Sequence, residues 1–305
     1  MKIDDNLLTA ATLCSRLYNK GELKYLSSSA WHGLIADLAE KGIENPSYLL
    51  GAKMSDLITL EFKAEFCKRL LSLLDNAAKT EEIIKSLANS GIFLIGMDSK
   101  YYSSLMIKRL QTACPPVLFY AGNAKLMNRD SISVAGSREP SSSAVKFANS
   151  LGRKITENGY VLTSGGARGC DSIAESAATS NGGNAVLYLA VSLSKRMENT
   201  RMSSLIAQNR LCLVSDHSPY DDFNAGYALT RNKYIYSSSP ITAVCESRAE
   251  KGGSYNGAIG CIAGGYGHVA AFDDDSCYGN QMLILNGASR VKTADDVIDL
   301  AVKYQ

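Results

Sequence analysis

Residues 131–138 read Ser-Ile-Ser-Val-Ala-Gly-Ser-Arg, and residues 160–171 read Tyr-Val-Leu-Thr-Ser-Gly-Gly-Ala-Arg-Gly-Cys-Asp. Each opens on a short, mostly apolar, partly β-branched run and ends in Gly, Ser and Arg, the pattern of a strand running into a turn. Between them Val145, Phe147, Ala148, Leu151 and Ile155 recur at helical spacing. Two strands joined through a helix are parallel neighbours, because the crossover brings the chain back to the same end of the sheet. Their carboxyl ends then lie side by side, one bearing Gly136, Ser137 and Arg138, the other Ser164, Gly165, Gly166, Arg168 and Gly169. Glycines let backbone approach a ligand, helix starts offer unpaired N–H groups, and arginine adds a two-pronged donor. The pattern predicts a phosphate-holding crevice, although its spacing is neither the dinucleotide fingerprint nor the Walker loop. The competing reading, glycines that only make tight turns and arginines that are solvated, explains one such turn more easily than two in register.

Downstream the alternation continues, with strands expected at 185–190, 211–214, 241–245 and 268–272 and helices at 199–209 and 254–262. Alternation of this kind means an α/β fold: a Rossmann-like parallel sheet covered by helices on both faces, with ligands at the carboxyl edge where strand order reverses. Upstream, apolar residues three or four apart predict helices at 3–19, 54–74 and 80–89. A further helix follows the Ser27–Ser29 cap and stops at Gly42. The expected organisation is a small helical domain over 1–90 and a sheet domain over 91–305, entered by strands near 91–95 and 117–120 and a connection over 98–116.

Composition narrows the function classes. The 305 residues carry a net charge of +2, with 16 basic and 14 acidic side chains in 1–130 and 16 of each in 131–305. A chain so balanced grips nucleic acid only through a local patch. Eight cysteines stand singly, without a CxxC pair, beside three histidines. That speaks against the usual zinc spacings and for reduced thiols in a cytoplasmic protein. No apolar run reaches the roughly 20 residues of a membrane span, and the residues call for neither metal nor cofactor.

Two further segments carry candidate chemistry. Arg231-Asn232-Lys233 precedes Tyr234 and Tyr236, offering phosphate donors and a stacking surface of the kind single-stranded nucleic acid uses; a helix start with its tyrosines packed inward is the alternative. Lys251-Gly252-Gly253-Ser254 opens a helix and forms another anion nest. Asp171 and Glu175 lie one helical turn apart behind Arg168, placed to bind a sugar hydroxyl or to pair with that arginine. Asp273-Asp274-Asp275 lacks calcium-loop spacing and reads as a solvated turn.

At these residues the chain resembles the DprA (Smf) DNA-processing family. Val134-Ala135-Gly136-Ser137-Arg138 is similar to its VGSR, and Ser164 to Asp171 to its SGLARGID. Residues 115–123 resemble PPxLFYxGN, residues 231–233 its RNR, residues 251–254 its KSGS, and residues 279–297 its closing GxNxLIxxGA and TSAEDI. The likeness covers about residues 91–300. It departs at Glu175, where the family has histidine, at Lys233, where it has arginine, and at Ala135 and Gly166, which replace commoner family residues. The resemblance implies a protein without catalytic residues that binds single-stranded DNA and assists a RecA-type recombinase in DNA uptake and recombination, with Asp171 at the site. A homodimer is left open, since nothing in the sequence fixes an oligomeric state. The alternative is a nucleotide sensor, or an enzyme like the lysine-decarboxylase-like phosphoribohydrolases, whose PGGxGTxxE loop supplies a glutamate. The corresponding Lys251-Gly252-Gly253-Ser254-Tyr255-Asn256-Gly257 has none.

Overall fold

The computed structural model describes residues 3–17, 24–250 and 252–305. They divide between two compact units, one within residues 1–99, 111–120 and 216–219, the other within 100–110, 121–215 and 220–305.

The first unit is mainly helical: α1 (Asp5–Cys14), α2 (Ser28–Glu40), α3 (Met54–Thr59), α4 (Ala64–Leu74) and α5 (Ala77–Asn89). Ser27 caps α2 by accepting from the Ala30 amide, and Gly42 follows that helix at φ 77°. Leu13, Leu34, Leu38, Leu49, Leu57, Leu70, Leu73 and Leu87 fill its core, each side chain contributing about 1.5–3 kcal/mol by leaving water. The single helix expected over 54–74 is two helices, broken where Glu61 turns to φ 64°. The strand β1 (Phe93–Gly96) pairs antiparallel with β2 (Val117–Gly122), Phe93 opposite Tyr120. The helix expected over 3–19 ends at Cys14, and its Tyr18 lies outside the described residues.

The second unit is the predicted α/β sheet. Its strands are β3 (Ser131–Ala135), β4 (Val161–Ser164), β5 (Ala185–Tyr188), β6 (Leu211–Ser215), β7 (Ile241–Val244), β8 (His268–Phe272) and β9 (Ser289–Val291). They lie in the order β6-β5-β4-β3-β7-β8-β9, every neighbouring pair parallel. Strands β3 to β7 are buried at every position, as a sheet covered on both faces requires. The helices are α6 (Ser104–Leu110), α7 (Ser142–Glu157), α8 (Cys170–Ser180), α9 (Leu193–Met197), α10 (Thr200–Ala207), α11 (Ala225–Ser237), α12 (Gly253–Gly264), α13 (Tyr278–Leu285) and α14 (Ala294–Lys303). Here α6 occupies part of the stretch expected to be a plain connection. Helix α7 packs on α8 and α14, and α12 on α11 and α13. The α7–α8 approach is close because Gly152 has no side chain: a Cβ there would lie 2.2 Å from the Ala174 carbonyl oxygen.

The order places a switch point at β3. From β3 the chain steps outward through β4, β5 and β6, then returns to β7 on the other side of β3. The loops leaving β3 and β7 therefore diverge and open a crevice at the carboxyl edge. Among the described residues no helix is long and apolar enough to cross a membrane, and all eight cysteines are free, seven of them buried.

Candidate functional site

Three chain reversals meet at that crevice. The turn after β4 is locked to the turn after β3 through Gly169, which adopts φ 92° and would place a Cβ 2.2 Å from the Ser137 carbonyl oxygen. The Cys170 amide donates to that carbonyl at 3.0 Å. No side chain fits there, so the glycine at this position is a packing requirement. The start of α12 is tied in by Ser254, whose hydroxyl donates to the Gly136 carbonyl at 2.8 Å.

The reversals enclose a cleft of about 560 Å³ lined by Gly136, Ser137, Arg138, Glu139, Arg168, Asp171, Arg231, Asn232, Glu246, Ser247, Arg248, Gly252, Gly253 and Ser254, with Ala135, Tyr236 and Tyr255 among the rest. Arg138 and Arg168, from different strands, face the same space. Arg138 lies over the Phe223 ring, 5.6 Å from its centroid. Arg168 and Arg248 share Glu139, at 3.0 Å from Oε1 and 3.1 Å from Oε2. All three side chains are mostly exposed, so each pair contributes less than about 1 kcal/mol and exchanges readily.

The floor is different. Arg231, on α11, is only 7% exposed, and its guanidinium lies against the backbone of Gly165. Its Nε has no hydrogen-bond partner. The nearby acid Asp171 is also buried, and its Oδ2 accepts from the Gly165 and Ala167 amides at 3.2 and 3.4 Å. Burial pushes the Asp171 carboxyl above the usual carboxylate range, with the Arg231 charge and the amides opposing. Burial likewise pulls Arg231 down, and Asp171 opposes it. A buried cation with an unsatisfied donor is costly, and the Asp171 charge offsets that cost without cancelling it, which leaves the guanidinium suited to a further anion.

Several expected site residues shape the cleft without lining it. Ser164 and Gly165 are buried beneath it, and the Gly166 carbonyl accepts from Arg196 at 3.1 Å. Gly169 is the lock described above. Lys233 is exposed on α11 but outside the cleft lining, and Lys251 lies outside the described residues. The proposed stacking surface is not formed: Tyr234 and Tyr236 are 4% and 1% exposed. They lie on the buried face of α11, and the Tyr236 hydroxyl donates to the Ser254 carbonyl at 2.9 Å. Asn232 instead braces the α12 turn, donating to the Gly253 carbonyl at 2.9 Å. Glu175 does form an ion pair, but with Arg201 at 2.9 Å, while Arg168 takes Glu139.

Glu139, Glu246 and Arg248 were not singled out from sequence, although Glu139 lies three positions after Gly136 and Arg248 four before Gly252. Glu246 accepts from the Ser141 amide at 2.8 Å, at the start of α7. Among the described residues no group of three or more His, Cys, Asp or Glu is placed to hold a metal. The carboxylates at the cleft are engaged by guanidinium or amide groups, and the donors outnumber them. The arrangement brings four guanidinium groups, of Arg138, Arg168, Arg231 and Arg248, to one cleft.

The chain is 25% identical over 227 residues to DNA processing protein DprA of Bacillus subtilis (strain 168), covering 72% of this chain and 75% of the relative. It is 29% identical over 200 residues to DNA processing protein DprA of Streptococcus pneumoniae (strain ATCC BAA-255 / R6), covering 60% and 66%. The X-ray structure of DprA from Streptococcus pneumoniae superposes with a TM-score of 0.73 over 98% of both chains at 19% identity, a likeness of fold. A structure addressing the single-stranded DNA binding mode of DNA processing protein A from Helicobacter pylori superposes with a TM-score of 0.57, at 20% identity, over 70% of this chain and 97% of that one. The family model for DNA recombination-mediator protein A matches residues 93–301, the stretch that supplies every wall of the cleft, and the chain belongs to that family.

Proposed function

We propose that the cleft binds single-stranded DNA by its phosphates, and that the chain presents the bound strand to a RecA-type recombinase during DNA uptake or repair. The observation that carries this reading is the buried Arg231 guanidinium, its Nε without a hydrogen-bond partner, in a cleft rimmed by Arg138, Arg168 and Arg248. Family membership supports it, as does the single-stranded DNA binding of the Helicobacter pylori relative. Phosphate contacts position a strand without reading its sequence, so binding is expected to be sequence-tolerant. A recombinase contact and self-association belong to the same reading.

A second reading, a nucleotide ligand, is favoured by the cleft volume of about 560 Å³, within the range of small-molecule sites. Hydrolysis of such a ligand is not part of it, because the loop after Gly253 brings no glutamate and the lining acids are engaged.

Fluorescence anisotropy with a strand of roughly 30 nucleotides, long enough for several site lengths, tests the first reading. Affinity is expected to fall steeply between roughly 50 and 200 mM salt through counterion release. Absence of binding at the lower salt overturns it. Filament assembly by a RecA-type recombinase on protein-coated strand, with and without this chain, tests the partner.

A further inference from the structure

The rim and the floor of the cleft present different kinds of cation. Arg168 and Arg248 are exposed and already share a carboxylate, one oxygen to each guanidinium. Arg231 is 7% exposed, has no acceptor on Nε, and is joined at the floor by Ala135, Asp171 and Tyr236, all buried. Buried polar groups in folded proteins are almost always satisfied, and a buried guanidinium that also lines a ligand-sized cleft is placed to gain an acceptor from the ligand.

Strand chemistry then restricts what reaches the floor. An internal phosphodiester carries an ester link on each side, so both neighbouring nucleotides must descend with it. A terminal phosphomonoester has one link, three free oxygens and between one and two negative charges near neutral pH. Such a group enters end-on, while the phosphates that follow it meet the exposed arginines of the rim.

We propose that the floor of the cleft is a seat for a nucleotide phosphomonoester, held by Arg231, so that the chain prefers a phosphorylated strand end to internal backbone. This rests on the phosphate-binding reading of the cleft given above.

The test compares strands of one sequence bearing a 5′-phosphate, a 3′-phosphate or neither, together with a circular strand. One phosphorylated form is expected to bind about tenfold more tightly than the hydroxyl-ended strand, the gain of one charge-assisted hydrogen-bond set. In Arg231→Lys and Arg231→Gln that ratio is expected to approach one. Because a ratio is taken within one preparation, partial unfolding of a variant does not imitate the result. Equal affinity for all four strands overturns the terminal seat and leaves DNA binding standing, and so does a ratio that survives both substitutions. Binding by none of them is the separate failure of the nucleic-acid reading. A free nucleoside 5′-monophosphate distinguishes the two sources of the group. Affinity within about tenfold of the phosphorylated strand assigns the seat to the mononucleotide, and weaker binding assigns it to the strand end.

Discussion

The Arg231 guanidinium lies directly on the backbone of Gly165: a Cβ built on that glycine would stand 1.6 Å from Nη1 and 2.3 Å from Cζ. The turn after β4 therefore fixes the position of a side chain carried by α11, and the missing side chain at Gly165 is what leaves room for the cation. The nearby Gly166 and Gly169 adopt φ 58° and 92°, so this turn is glycine-dependent for backbone reasons as well.

Gly165→Ala is accordingly expected to displace the guanidinium. The clash falls on the end of a long side chain rather than on backbone, so overpacking is expected to cost about 1–3 kcal/mol and the protein to remain folded. Strand affinity is expected to drop about tenfold or more, as when a central phosphate contact is lost. Urea unfolding read beside anisotropy checks both, and unchanged affinity would remove Arg231 from the site.

Glu139 pairs with both Arg168 and Arg248, at 3.0 and 3.1 Å. Glu139→Gln frees two exposed cations and removes an acid from the cleft, so binding at low salt is expected to tighten a few-fold, within the roughly 1 kcal/mol reach of surface ion pairs. Stability is expected to stay within about 0.5 kcal/mol of the parent. Titrations at several salt concentrations are also expected to show a steeper slope, since more counterions are displaced. Weaker binding instead would mean that Glu139 orients the arginines.

Which parts of this were legible in the sequence follows from local rules. The two Gly-Ser-Arg turns were readable because glycine, a β-branched run and helical spacing each have a local cause. The break between α3 and α4 was not, since the turn is made by Glu61 at φ 64°, with neither glycine nor proline at 60–63. The phase of α11 was recoverable only in principle. Arg231, Tyr234 and Ile235 are spaced i, i+3, i+4 and share one buried face, which leaves Lys233 on another. A buried arginine whose Nε lacks a partner has no sequence signature at all, because its guanidinium packs against Gly165, some 66 positions earlier in the chain.

The raised pKa of Asp171 gives a pH dependence of fixed sign. Its folded value stands above its ordinary one of 3.8 because of burial, so the native state holds a proton that the unfolded chain has released. Stability from this group is greatest below the ordinary value and falls as pH rises through the folded one. Asp171→Asn lacks the titration. Its stability relative to the parent is therefore expected to improve as pH is raised from about 3.8 across that window. Urea midpoints for both proteins over a pH series check it, and an opposite trend would show that attraction to Arg231 outweighs burial.

Asn280 sets the loop that carries Ser247 and Arg248. It is fully buried on α13, its Nδ2 donates to the carbonyls of Val244, Cys245 and Phe272 at 3.2, 3.3 and 2.9 Å, and its Oδ1 accepts from the Ser247 hydroxyl at 2.9 Å. One side chain thus ties the end of β7 to the end of β8. Asn280→Ala leaves buried oxygens unsatisfied and is expected to cost about 2–4 kcal/mol, given about 1–3 kcal/mol for each such group. Asn280→Asp is expected to be worse, despite its nearly identical shape, because an oxygen then faces the three carbonyls. That ordering separates hydrogen bonding from cavity formation, which would make alanine the more damaging change. Both variants loosen the loop beneath Arg248, so the salt slope of strand binding is expected to fall by about one unit, the share of one phosphate contact. A slope equal to that of the parent, measured at a denaturant-free temperature where both variants remain folded, would mean that Arg248 binds independently of the Asn280 tie.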